Sequence, residues 1–174
     1  MAEISSPGQQ TLIGHPLSTG KTISPHGFSR DINNYLNAYV NLADSKAGAV
    51  VGLNTLLLGL VMAWGDTDQG DIRVHLLTIA LFAIGAGLGA FVILPRTPRG
   101  SSGVIFWEDI RTYATVDDYQ NRLRSLDDQD VEDSYAYQNY FVSHVLHQKH
   151  QYLRWAMLVT ALGVLMAIID YWWL

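Results

Sequence analysis

Residues His75–Leu94 read HLLTIALFAIGAGLGAFVIL, an apolar stretch without Asp, Glu, Lys or Arg. At about 1.5 Å of rise per residue, a helix of this length crosses a hydrocarbon core of about 30 Å. Two further apolar stretches, Ala47–Trp64 and Leu153–Trp173, are also long enough, and no full charge falls within the central part of either. The sequence therefore predicts an all-α integral membrane protein with three transmembrane helices and a lipid bilayer as its first partner.

The overall composition limits what the rest of the chain can be. The 174 residues are 49% hydrophobic, and the mean hydropathy is +0.11. The net charge of −5 argues against a nucleic acid polymer as partner, because such a protein needs a dominant basic face. The absence of cysteine excludes disulfides, thiolate metal sites and cysteine nucleophiles.

No familiar catalytic pattern occurs, so we assign no catalytic residue and do not expect an enzyme. Residues 18–22, STGKT, resemble the end of a phosphate-binding loop, but the upstream glycine is misplaced and no strand precedes it. His144, His147 and His150 lie three positions apart on the predicted last helix, and no nearby carboxylate completes a metal shell. Neither a metal nor a cofactor is predicted.

The charges beside the spans predict the orientation. The loop between the first two spans, 65–74, holds three Asp and one Arg. The other flanks are basic and contain Arg30, Lys46, Arg96, Arg99, Arg111, Lys149 and Arg154. The positive-inside rule then places the N-terminus and residues 95–152 in the cytoplasm and the C-terminus outside.

Four segments follow from these boundaries. We predict a disordered cytosolic tail at 1–28, an amphipathic helix with transmembrane helices 1 and 2 at 31–94, a cytosolic helical sensor region at 95–152, and transmembrane helix 3 at 153–174. The amphipathic helix, capped by Ser29 or Asp31, lacks Pro and is expected to run directly into the first span. From Val131 no Gly or Pro occurs until Gly163, so the last helix is also expected to enter the membrane unbroken. Between them we expect two short helices, the second beginning after a Thr115 cap.

Two kinds of residue stand out within the spans. Asn54 is close to the middle of the first span, where its amide needs a partner. A hydrogen bond to another helix is the simpler prediction, and a pore-lining position is the alternative. Gly85 and Gly89 allow close approach of backbones, so they predict a helix-packing face within or between subunits.

Three sequence elements resemble a known family. Residues 43–47, ADSKA, followed by an apolar run to Asn54, resemble the "A-D-x-K-A … N" opening of the Pycsar transmembrane effectors. Residues 106–110, FWEDI, are similar to that family's "F-F-G-D-I"-like element, with Glu108 where Gly is common. Tyr137–Trp155 is similar to the family's closing helix, and the resemblance extends over about 31–174.

The resemblance implies a function in bacterial anti-phage defence. Family members are expected in the bacterial inner membrane, where they bind a cyclic mononucleotide, cyclic CMP or cyclic UMP, made by a separate cyclase, and impair the membrane, arresting or killing the host. With only three spans per copy, a membrane path requires a homo-oligomer. The expected ligand-binding candidates are the cations Lys46, Arg111, Arg122, Arg124 and Lys149 and the rings Trp107, Tyr113 and Tyr119.

Two other functions remain open from the residues alone. A small membrane scaffold or anchor would recruit a soluble partner through the acidic insert. A holin-like toxin would damage the membrane without any ligand.

Overall fold

The protein is all-α, as predicted. The computed structural model describes residues 25–64, 71–96 and 104–172, and these contain five helices and no strand. The helices are α1 Pro25–Trp64, α2 Ile72–Ile93, α3 Trp107–Ile110, α4 Val116–Arg124 and α5 Asp128–Trp172.

Three helices, α1, α2 and α5, are long and apolar enough to cross a membrane, and they pack against one another as a bundle. The apolar side chains on the outside of the bundle are largely exposed, for example Leu56 at 64%, Met62 at 63% and Leu165 at 58%. Such a surface would be unfavourable in water but is the surface that lipid covers. The three predicted spans are thus confirmed.

The long helices α1 and α5 are continuous over 40 and 45 residues. Each joins a polar half to an apolar half without a break, which confirms the two unbroken helices expected from the sequence. The predicted start of α1 is wrong: the helix begins at Pro25, so Ser29 and Asp31 lie inside it and neither caps it. Proline suits the first turn of a helix, where its missing N–H costs no hydrogen bond. The predicted tail falls mostly on residues 1–24, outside the described ranges.

The core of the bundle is built from small residues and a few large ones. Ala47, Val92 and Leu153 form a buried cluster with one residue from each long helix. A Cβ on Gly89 would lie 2.8 Å from the Val51 side chain, and one on Gly85 would lie 2.7 Å from Asn54 Oδ1. Both glycines therefore stand at close helix contacts within a single copy.

The segment between α2 and α5 contains two short helices, as expected. Thr115 accepts a hydrogen bond from the Asp118 backbone N–H and donates its hydroxyl to the Asp118 carboxylate. Asp127 and Asp130 form a reciprocal cap at the start of α5, since each side chain accepts from the other's backbone N–H. Local sequence alone therefore defines where α4 and α5 begin.

Candidate functional site

Lys149 of α5 lies where the three long helices meet, and only 3% of the residue is exposed. Its Nζ donates to Asp44 Oδ1 of α1 at 2.5 Å and to the Val92 carbonyl oxygen of α2 at 2.7 Å. The last carbonyl groups of a helix have no partner in that helix, and the helix dipole favours a cation beside them. One side chain therefore joins all three helices, and we call Asp44, Lys149 and the Val92 carbonyl the Lys149 clamp.

Arg96 makes a second connection just beyond the end of α2. Its guanidinium carbon lies 4.8 Å from the centre of the Phe91 ring and 5.0 Å from that of Tyr152. One of its N–H groups donates to Gln148 Oε1 at 3.0 Å. Because Tyr152 and Gln148 belong to α5 and flank Lys149 along it, these contacts attach the end of α2 to α5 at the level of the Lys149 clamp.

A row of polar contacts joins the polar halves of α1 and α5, and we call it the polar seam. Ser29 donates its hydroxyl to Glu132. Asn33 Nδ2 donates to Asn139 Oδ1 at 2.9 Å, and Asn139 Nδ2 donates to the Ser29 carbonyl at 2.8 Å. Asn37 extends the seam by donating to Asn33 Oδ1 at 2.9 Å. The polar seam specifies the register of α1 and α5. Each amide reaches its partner only when the two residues lie at the same level along the helix axes.

In the middle of the bundle, Asn54 is fully buried and faces the other helices of the same copy. Its Nδ2 donates to Thr160 Oγ1 of α5 at 2.8 Å and to the Val50 carbonyl at 2.8 Å. This arrangement supports the interhelical hydrogen bond expected from the sequence. A lining position in a path between copies would require the side chain to face outward instead.

The far end of the bundle holds another link between helices. His75 Nδ1, near the start of α2, lies 3.0 Å from Asp170 Oδ2, near the end of α5, and both side chains are mostly buried. A polar pair at this depth fixes α2 against α5, since neither group finds water easily.

The insert, which is the described segment 104–124, carries aromatic residues close together. The Tyr113 and Tyr119 rings lie 5.2 Å apart, and the Tyr119 hydroxyl donates to the Val104 carbonyl at 3.0 Å. Trp107 remains 57% exposed, and its ring lies 5.7 Å from that of Phe106. An exposed tryptophan ring is a surface on which a planar base can stack.

The predicted ligand residues fall into two groups. Trp107, Arg111, Tyr113 and Arg122 belong to the insert, and both arginines are exposed. Lys46 and Lys149 belong to the bundle. Lys46 is exposed on α1, whereas Lys149 is buried in its clamp with two partners, so this state does not present Lys149 to a ligand.

Sequence reasoning missed several of these contacts. It listed Lys149 among the cations beside the spans and did not pair it with Asp44. A usable signal was present, because Asp44 precedes the first apolar stretch and Lys149 precedes the third at a similar distance. The polar seam gave no comparable signal, since asparagines occupy several faces of α1 and nothing in the sequence selects Asn33.

Comparison with known proteins places the bundle in a family. A family model described as the Pycsar effector protein domain matches residues 28–173. The chain belongs to the Pycsar effector family. The curated protein "Pycsar effector protein SaPycTM" of Staphylococcus aureus is 26% identical over 137 residues, which cover 74% of this chain and 83% of that protein. No solved structure matches.

Membership confirms the resemblance found in the sequence and assigns the chain to anti-phage defence as a membrane effector. The matched region contains the Lys149 clamp, the polar seam and the insert. These are therefore features of the effector domain itself.

Proposed function

We propose that this effector binds a cyclic pyrimidine mononucleotide at its insert, and that binding changes the packing of its long helices so that several copies impair the bacterial inner membrane. The cyclic nucleotide comes from a separate cyclase. The observation that carries the proposal is the continuity of α1 and α5, which pass from the insert side into the apolar bundle without a break.

The charges beside the spans support a cytoplasmic N-terminus and a periplasmic C-terminus. The sensor region at 95–152 then faces the cytoplasm, where a cyclase delivers its product. The tail at 1–28 lies on the same side.

The connection from insert to bundle runs through α5. The insert leads directly into the start of α5, and the polar seam joins that half of α5 to α1. A ligand that moves the insert therefore acts on the seam first and on the Lys149 clamp next. In this mechanism the clamp holds the resting arrangement, and its release allows the helices to separate.

A cyclic mononucleotide suits the side chains of the insert. Its base stacks on an exposed ring such as Trp107 or Tyr113, which is worth about 1–3 kcal/mol. Its phosphate accepts hydrogen bonds from Arg111 or Arg122, each worth about 1.5–3 kcal/mol. Moving a two-state protein from 1:99 to 99:1 takes about 5.5 kcal/mol of differential binding. One stacked base and two charged contacts reach that scale.

A membrane path needs more than one copy. The interior of a single bundle is filled by side chains that include Asn54, Phe82 and Thr78, which are fully buried. A homo-oligomer with the path between copies is therefore the arrangement that the packing supports.

The decisive experiment measures ligand binding and membrane damage on the same purified full chain. Thermal unfolding in lipid nanodiscs is followed with cyclic CMP, cyclic UMP and cyclic AMP, and dye release is followed from loaded vesicles. We expect one pyrimidine nucleotide to raise the unfolding temperature and to start dye release. Trp107→Ala and Arg111→Gln are expected to abolish both responses, whereas Arg30→Gln, an exposed cation on α1 outside the insert, retains them.

Other results select the other functions. Dye release without any nucleotide indicates a ligand-independent toxin. Nucleotide binding without dye release or loss of membrane potential in cells indicates a scaffold. If neither pyrimidine nucleotide changes the unfolding temperature, the proposed nucleotide binding at the insert is contradicted.

A further inference from the structure

A groove of about 760 Å³ lies on the surface of the bundle between α1 and α5. Its lining includes the basic side chains of Lys46 on α1 and of His150 and Arg154 on α5. The rest of the lining is aliphatic and includes Val50 and Met157. This groove is separate from the insert and from the Lys149 clamp.

The two cations lie at the same depth in the bundle. Lys46 directly precedes Ala47, and Arg154 directly follows Leu153. Ala47 and Leu153 pack together in one buried cluster, so their neighbours share one level. That level is the boundary between the polar and apolar halves of both helices.

Below the cations the groove continues along the apolar halves. Met157 and Leu158 lie one turn further into the span, and they are 55% and 50% exposed. The groove thus has two cationic groups at its polar end and exposed aliphatic surface at its apolar end.

Within the described residues, neither groove cation forms an ion pair with a carboxylate. The ion pairs found in the described part of the chain join Asp44 to Lys149 and His75 to Asp170, and neither includes Lys46 or Arg154. The groove therefore has two cations on adjacent helices, no carboxylate among its lining residues, and aliphatic surface next to the cations. This combination is complementary to an anionic headgroup with acyl chains.

We infer that this groove is a binding site for one anionic phospholipid, with the phosphate held between Lys46 and Arg154 and an acyl chain along Val50, Met157 and Leu158. A free nucleotide fits less well, because among the groove residues His150 alone offers a ring for its base. The inference does not depend on nucleotide gating, since the lipid binds the resting bundle.

The test measures retained lipid by native mass spectrometry after reconstitution in equal amounts of phosphatidylglycerol and phosphatidylcholine. We expect one phosphatidylglycerol per chain to remain bound preferentially. Lys46→Gln and Arg154→Gln each weaken that preference about fivefold, and together about 30-fold, from the usual effect of one basic residue near an anionic surface. Arg30→Gln with Arg73→Gln makes the same charge change at exposed positions outside the groove and retains the preference.

A further variant keeps the test valid if the double charge variant fails to fold. Met157→Trp places a bulkier side chain in the groove lining without changing the charge, and we expect it to lower phosphatidylglycerol retention as well. Because the chain has no cysteine, Met157→Cys also provides a single site for disulfide cross-linking between copies.

Four results would overturn the inference. Equal retention of both lipids indicates ordinary solvation by the bilayer. If the Lys46→Gln, Arg154→Gln double variant retains phosphatidylglycerol as well as the control pair does, the two cations are not the cause of the lipid preference. Competition by soluble glycerol phosphate at equal concentration shows that the site takes a phosphate without chains. Efficient Met157→Cys cross-linking shows that a second copy, rather than lipid, covers the groove.

Discussion

Asp44→Ala leaves Lys149 as a buried cation that retains only the Val92 carbonyl as partner. Removing one member of a buried ion pair usually costs about 3–5 kcal/mol, because the remaining charge is uncompensated. The side chain of Asp44 is 32% exposed, so water reaches this end of the pair. We therefore expect the free energy of unfolding to fall by an amount near the lower limit, about 3 kcal/mol.

Lys149→Met has a smaller expected cost. The carboxylate of Asp44 is left at a position where water solvates it, and the Val92 carbonyl loses its donor. We expect the free energy of unfolding to fall by about 1–2 kcal/mol. Once Lys149 is replaced, removing Asp44 has little further effect, so the double variant is expected to be about as stable as Lys149→Met alone.

The measurement is thermal unfolding in detergent micelles, followed by tryptophan fluorescence of the five native tryptophans. By the scaling of globular chains of this size, 3 kcal/mol lowers the midpoint by about 6–12 °C. Asp31→Ala removes an exposed carboxylate from the same helix and is expected to change stability by less than about 0.5 kcal/mol. Strictly additive effects of the two clamp substitutions would refute the assignment of Asp44 and Lys149 as partners.

Three further predictions concern packing, the polar seam and topology. Gly85→Ala is expected to destabilise the bundle by about 1–3 kcal/mol, because the added Cβ meets Asn54 at 2.7 Å, whereas Gly87→Ala meets nothing within 4 Å and remains stable in the same melt. Asn139→Ala removes two bonds between α1 and α5 and is expected to speed limited proteolysis of their polar halves, while Asn34→Ala, at an exposed position, does not; equal cleavage rates would contradict the seam. An alkaline phosphatase reporter inserted between α4 and α5 is expected to be inactive and one at the C-terminus active, and the reverse pattern would invert the topology.

The architecture was accessible from the sequence because it depends on local features. The apolar stretches define the spans, and the absence of Gly and Pro from Val131 to Gly163 gives a continuous helix. The caps at Thr115 and Asp127 are made by residues within one turn of each other. The start of α1 was misplaced because Ser29 looked like a cap, although Pro25 offered the better signal.

The links between helices were not accessible in the same way. Lys149 was predicted as a candidate ligand residue from its charge and its place before the third span. Its burial depends on the end of α2 lying beside it, which no local pattern records. The partner of Asn54 was equally hidden, since a period of 3.6 residues specifies a face but not the helix that covers it. Long-range pairs such as Asn33 and Asn139 require the register of two helices, and only the assembled bundle provides it.

Lys149 lies near the middle of α5, so the Lys149 clamp is a point about which this long helix can tilt. Forty-five residues make a rod of about 68 Å, with Lys149 about 32 Å from Asp128 and about 32 Å from Asp170. If the rod pivots at Lys149, a sideways displacement of about 5 Å at Asp128 moves Asp170 by about 5 Å in the other direction. The carboxylate of Asp170 lies 3.0 Å from His75. A displacement of that size either breaks this contact or moves α2 together with α5, so a tilt of the insert-side half of α5 changes helix packing at the far end of the bundle.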